Sequence, residues 1–217
     1  MGAGNGRNNP LNRRLTARER RSLGSGEVRG ANTLTVLGLD PAAAGPTGYG
    51  IVESDGRRCR MLHYGALRVA SRKNGESAGA GLRQVHALVE KLLNEFHPDV
   101  VAVESVFAAL NLKTALRLAE VRGVVLLAAA QRGVPVRSYS PSEVKANVAG
   151  YGHATKEQMQ AMVRALLEMR ETPQPADAAD ALAVALCHIQ TERGRARLRM
   201  EPQPEVRPGS AHAAITR

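Results

Sequence analysis

Apolar positions alternate through residues 33–39 and the run ends abruptly in a carboxylate, Asp40, followed by Pro41. A second run, DVVAVE (99–104), is almost continuously apolar and also ends in an acid, Glu104. Runs of this kind read as strands buried on both faces of a sheet. Two more strands are predicted over 48–53 and 60–70, joined as a hairpin by the turn Ser54-Asp55-Gly56, and a short fifth over 134–138. Leu82, Val85, Leu88, Val89, Leu92, Leu93 and Phe96 recur at helical spacing, which predicts an amphipathic helix over 80–96 that Pro98 stops. A long helix follows over 111–132. Ser140-Pro141-Ser142-Glu143 is a capping box with proline at the first helical position, so another helix starts there. Thr155 is the expected N-cap of a helix over 156–169, and a last helix is predicted over 177–190. The order β-β-β-α-β-α-β-α-α-α predicts an α/β fold, a mixed five-stranded sheet with helices on both faces.

Composition changes this picture mainly at the ends. The chain has 217 residues, enough for one core, and a net charge of +10. Residues 1–32 carry +5 and residues 191–217 carry +3, so the middle holds only about +2. A basic balance favours a polyanionic partner, but its concentration in the ends weakens that argument. Both ends lack an apolar period, and we expect a disordered basic extension over 1–32, one domain over 33–190, and a disordered basic tail over 191–217. Cys59 and Cys187 show no pairing pattern and read as free thiols. There is no apolar h-region near the start and no uncharged run long enough to span a bilayer. A cytoplasmic protein with no membrane partner is expected.

The candidate chemistry lies in four acids. If the strands ending in Asp40 and Glu104 are neighbours, both carboxylates open onto one sheet edge, where ligand crevices of open α/β sheets form. Asp177 and Asp180, spaced i and i+3, share one face of the last helix with alanines between them. Four clustered carboxylates repel one another unless a cation joins them. Oxygen-only ligation suits Mg2+ or Mn2+ rather than zinc, and two such ions would activate water and stabilise a leaving phosphodiester oxygen. Taken singly, Asp40 reads as a turn residue, Asp177 as a helix cap and Glu104 as a solvent contact; together they favour a metal site.

At this point the chain resembles the RuvC-type Holliday junction resolvases, crossover junction endodeoxyribonucleases of RNase H-like fold. The segments that carry the likeness are LGLDP…TGYGIV (37–52), VAVESVF (101–107), TALRLAEVRGVVLLAA (114–129), SPSEVKANVAGYGHATKEQM (140–159) and PADAADALAVALCH (175–188). The resemblance implies that Asp40, Glu104, Asp177 and Asp180 are the catalytic acids and the ligands of two Mg2+ ions per subunit, with Mn2+ as a substitute. It implies DNA contacts at Lys145, Lys156 and Phe107. It also implies a homodimer acting symmetrically on a four-way DNA junction in recombination and repair, in concert with the RuvA and RuvB branch-migration complex.

One departure stands beside the first acid. After Asp40-Pro41 the chain reads Ala42-Ala43-Ala44-Gly45-Pro46, one residue longer than the usual loop of the family and without its glycine. Lys145 and Lys156 sit near helix starts, where a cation lacks the favourable dipole interaction, so phosphate contact is the favoured role and a solvated lysine the alternative. From spacing, Phe107 reads as core; the resemblance moves it towards DNA. Tyr151, in the Gly150–Gly152 turn, is a further candidate DNA contact, and His153 reads as a solvent-exposed loop residue. The stripe Leu112, Ala115, Leu116, Ala119 reads as core, or as a dimer seam if the helix is exposed. Two other functions match parts of the sequence: a junction-binding protein with impaired catalysis, suggested by the altered loop, and an actin-like ATPase, whose first phosphate loop also follows a strand ending in Asp. The second requires a duplicated domain and a further glycine-rich phosphate loop, and the chain shows neither.

Overall fold

The structure is a computed structural model that describes residues 33–42, 45–68, 79–105 and 111–200. In chain order its elements are β1 (Leu34–Asp40), β2 (Pro46–Ser54), β3 (Cys59–Arg68), α1 (Ala80–Phe96), β4 (Val100–Glu104), α2 (Leu112–Gln131), β5 (Val136–Tyr139), α3 (Pro141–Ala149), α4 (Lys156–Leu166) and α5 (Ala176–Met200). The five strands form one sheet in the order β3-β2-β1-β4-β5. β1 pairs antiparallel with β2 and β2 with β3, whereas β1–β4 and β4–β5 are parallel. The mixed sheet expected from the element order is therefore present, with the two acid-terminated strands side by side.

Alternation of side chains divides the core in two. Leu37, Leu39, Ile51, Val101 and Val103 pack against α1 and α2 through Val85, Val89, Leu92, Val125 and Ala128. Val36, Val52, Val100 and Ala102 face the other way, onto α3, α4 and α5 through Val144, Val163, Leu182 and Leu186. Burial on both faces explains why β4 reads as a near-continuous apolar run and why β1 carries apolar side chains on both of its faces. Their register is pinned at the start of β4, where the Asp99 carboxylate accepts the Thr35 N–H at 2.8 Å and the Asp99 N–H donates to the Thr35 carbonyl at 2.8 Å.

The caps behave as their residue types dictate. Ser140 and Glu143 form the reciprocal capping box of α3, with Pro141 opening the helix. Thr155 and Gln158 form a second box at α4. In the β2–β3 hairpin the Asp55 carboxylate accepts the N–H groups of Arg57 and Arg58, each at 2.7 Å, and Gly56 supplies the positive φ of 92°.

The last helix corrects the expectation of an unstructured tail from residue 191. α5 continues ten residues past Gln190, to Met200. Its extension is held by a long-range contact that no local pattern reveals: the Arg193 guanidinium donates to Ser54 Oγ at 3.0 Å and to the Arg58 carbonyl at 3.1 Å, tying the helix to the hairpin. Arginines near a helix C-terminus also oppose its dipole favourably. The expectations for residues 1–32 and 201–217 lie outside the described residues.

Candidate active site

Asp40 and Glu104 are the last residues of β1 and β4, one step beyond the Leu39–Val103 pair in the parallel register. Each lies two positions after a residue facing α5, Gly38 and Ala102, so both carboxylates emerge on the α5 face of the sheet. The end of β4 is fixed to β5 by Ser105, whose N–H and Oγ–H both donate to the Tyr139 carbonyl, at 2.8 and 3.1 Å.

The other two acids arrive on α5, which crosses β1 and β2 at very short range. Small residues on both sides make this possible: Ala178, Ala181 and Ala185 are buried on the helix, and Gly38, Gly48 and Gly50 lie beneath it. The Asp177 carbonyl oxygen stands 1.9 Å from the point a Cβ on Gly48 would occupy, and the Ala181 carbonyl 2.1 Å from the corresponding point on Gly38. Gly48 is also the cross-strand partner of Asp40. The first turn of α5 is thereby set down beside the end of β1, carrying Asp177 and, one turn on, Asp180. This glycine track was not singled out in the sequence. Its trace there is Gly48 and Gly50 at i, i+2, which places both on one face of a strand.

The electrostatics follow from that convergence. Burial pushes the Asp40 carboxyl up to about 8, aided by the negative charges of Glu104, Asp180 and Asp177 and opposed by Lys156. Glu104 is raised as well, by burial and then by Asp180, with Lys145 opposing. At neutral pH the metal-free site therefore favours a protonated Asp40. The Lys156 ammonium stands 3.3 Å from Asp180 Oδ2, a cation already drawn to the cluster. An all-oxygen donor set with surplus negative charge fits a hard divalent cation. Among the described residues no three such side chains yet stand close enough to enclose an ion. The charge and chemistry fit, and closure of the side chains around an ion would complete the site.

The remaining candidates are placed more loosely. Lys145, in α3, is close enough to lower the Glu104 carboxyl, and Lys156 opens α4 beside Asp180. Tyr151 is exposed, and its hydroxyl donates to the Gln158 side chain, which also accepts the Thr155 N–H at 2.9 Å. It is thus anchored to the start of α4. Phe107 and the middle of the altered loop, Ala43 and Ala44, lie outside the described residues. On α2, Leu112 and Leu116 are 75% and 57% exposed, which removes the core reading for that end of the stripe.

A mixed sheet in this strand order, with acids closing its two central parallel strands and two more on the helix laid across them, defines a nuclease-type RNase H-like domain. The family model described as crossover junction endodeoxyribonuclease RuvC matches residues 36–188, and the chain belongs to that family. The RuvC of Natranaerobius thermophilus is 46% identical over 165 residues, covering 76% of this chain and all of the relative. That of Moorella thermoacetica is 46% identical over 155 residues, covering 71% and 90%. Among solved structures, Thermus thermophilus RuvC in complex with a Holliday junction substrate superposes with a TM-score of 0.68 at 38% identity, covering 75% of this chain and 96% of that one.

Proposed function

We propose that this protein resolves Holliday junctions as a homodimeric, metal-dependent endonuclease, with Asp40, Glu104, Asp177 and Asp180 as the catalytic acids that hold two Mg2+ ions, or Mn2+ in their place. The observation that carries the reading is the convergence on Asp40: burial, and after it the charges of three acids from two other elements, lift its carboxyl to about 8. A site so charged is stable in its ionised form only with cations present.

Asp40, in electrostatic contact with the other three acids, would hold the ions together with Glu104 from β4 and the Asp177 and Asp180 pair of α5. When bound, the ions supply water activation and charge neutralisation at the leaving oxygen of an in-line displacement. The protein's own part is placement. Strand ends and a helix seated on the sheet fix the backbone positions from which the four carboxylates would close on the ions.

Lys156 and Lys145 border the acids, and we assign them to the phosphates flanking the scissile one. Tyr151 and Phe107 are assigned to the DNA near the crossover, Phe107 by stacking. The second copy of the chain packs on the α2 face that carries Leu112, Leu116 and Leu127, large apolar side chains exposed within the subunit. Partnership with RuvA and RuvB and a cytoplasmic location belong to the same reading. No helix among the described residues is long and apolar enough to cross a membrane.

The test is a synthetic four-way junction incubated with the purified protein and Mg2+. Paired nicks in two strands of like polarity, abolished by chelation, are the expected products. Tight binding without nicks in any divalent ion contradicts the catalytic reading and favours a junction-binding protein.

A further inference from the structure

Three glycines lie under α5: a methyl group at Gly38 or Gly48 would meet helix backbone, the Ala181 and Asp177 carbonyl oxygens respectively, whereas at Gly50 it would meet a side chain first. At Gly50 it first meets the Leu182 side chain, with Cδ2 at 2.6 Å and Cγ at 2.8 Å, atoms that can turn aside, and the nearest helix backbone atom, the Leu182 Cα, stands off at 3.2 Å. At Gly48 it meets the Asp177 carbonyl oxygen at 1.9 Å and carbonyl carbon at 2.5 Å, backbone atoms that yield only if the helix end moves. Gly48 does not need glycine for its dihedrals: the described glycines with positive φ are Gly56, Gly133 and Gly150. The demand at Gly48 is for space alone. It falls at the strand position paired with Asp40 and directly beneath the backbone of Asp177.

We propose that Gly48 is a positioning residue of the active site: its missing side chain sets how closely the Asp177 carboxylate is brought to Asp40. The proposal rests on the four acids holding divalent cations, and it adds the strand position that governs their separation. A Cβ at residue 48 forces the first turn of α5 outward by about 1.5 Å before ordinary contact at 3.4 Å is reached. A displacement of that size at a reacting centre costs about 100-fold in rate. Lengthening the displaced acid compensates, since one added methylene extends a side chain by about 1.5 Å.

The experiment compares the full-length chain with Gly48→Ala, Gly50→Ala, Asp177→Glu and the Gly48→Ala/Asp177→Glu pair. Mn2+ binding is followed by the loss of the free-ion spin-resonance signal, alongside thermal unfolding, junction affinity and junction cleavage. Gly48→Ala is expected to weaken Mn2+ binding at least tenfold and cleavage about 100-fold, with a cooperative unfolding transition and junction affinity retained. Adding Asp177→Glu to it restores at least tenfold of the lost cleavage, whereas Asp177→Glu alone lowers cleavage. Gly50→Ala leaves Mn2+ affinity within about twofold, as expected of a contact that a side chain absorbs. Native Mn2+ affinity in Gly48→Ala, an equal loss in Gly50→Ala, no rescue by the longer acid, or outright unfolding of Gly48→Ala each overturns the proposal. A wild-type chain that binds no Mn2+ overturns the metal reading itself, and the proposal with it.

Discussion

The ammonium of Lys156 lies 3.3 Å from Asp180 Oδ2, so the residue that opens α4 is held against the acid one turn into α5. The lysine side chain is 55% exposed, and an ion pair in such a setting contributes only about 0–1 kcal/mol to stability. In the proposed reading its value lies in placing a positive charge beside the path of the DNA phosphates. Lys156→Met is therefore expected to shift the melting temperature by no more than about 2–4 °C. It should weaken junction binding across sequences and lower the slope of log affinity against log salt by about 1. An unchanged slope would assign Lys156 to the ion pair alone.

Asp40 makes stability depend on pH in the metal-free protein. Its folded carboxyl, at about 8, lies above its ordinary value of 3.8. Between those values the folded chain keeps a proton that the unfolded chain releases, so the stabilisation is full below about pH 4 and is lost as pH rises through 8. Metal-free protein should melt lower at pH 8.5 than at pH 6, and Mg2+ should raise the melting temperature more at pH 8.5, where no proton has to be displaced. Asp40→Asn should flatten this dependence and raise the metal-free melting temperature, by about 2–4 °C for each kcal/mol of repulsion removed. Calorimetric scans with chelator and with Mg2+ at the two pH values decide the matter.

A second buried pair acts in the opposite direction. The Tyr139 hydroxyl lies 2.6 Å from His188 Nδ1, both residues are buried, and burial lowers the His188 pKa below its ordinary 6.5. A neutral imidazole accepts from the phenol. Because the folded value is depressed, this contribution is present above pH 6.5 and is lost as pH falls below it. Tyr139→Phe should cost about 1–3 kcal/mol by leaving a buried acceptor unpaired. The acid-side loss is best read in the Asp40→Asn background, where the opposing carboxylate is absent.

The exposed face of α2 yields a prediction about assembly. Leu112→Glu/Leu116→Glu places charge on a surface already open to water within the subunit, so monomer stability should change by less than about 1 kcal/mol. If that face seats the second copy, light scattering should show a dimer in the native chain and a monomer in the variant. Paired nicking of junctions should be lost with it. A variant that remains dimeric places the interface elsewhere.

Much of the site was legible because its signals are local. β1 and β4 announce themselves as apolar runs, and each run ends in its acid; the Asp177 and Asp180 spacing declares a shared helix face. Legibility failed where the cause is long-range. The α5 extension rests on Arg193 reaching residues 54 and 58, more than 130 positions away in sequence. The apolar face at Leu112 and Leu116 is periodic in sequence, but periodicity does not say whether the chain itself covers it. Gly48 and Gly50 look like ordinary strand glycines until α5 is laid across them. Gly38, Gly48 and Gly50 all lie in the LGLDP…TGYGIV segment, but the segment does not reveal that they are there to let α5 cross.

Asp40 lies at the centre of the proposed chemistry, and the decisive measurement is junction cleavage by Asp40→Asn in saturating Mg2+, with junction affinity measured on the same preparation. Cleavage should fall by at least about 1,000-fold, the scale expected when a metal-assisted displacement loses a ligand shared by the whole cluster of acids, while affinity stays within a few-fold of the native chain. Cleavage at the native rate by Asp40→Asn would contradict the central claim and place the chemistry elsewhere in the protein.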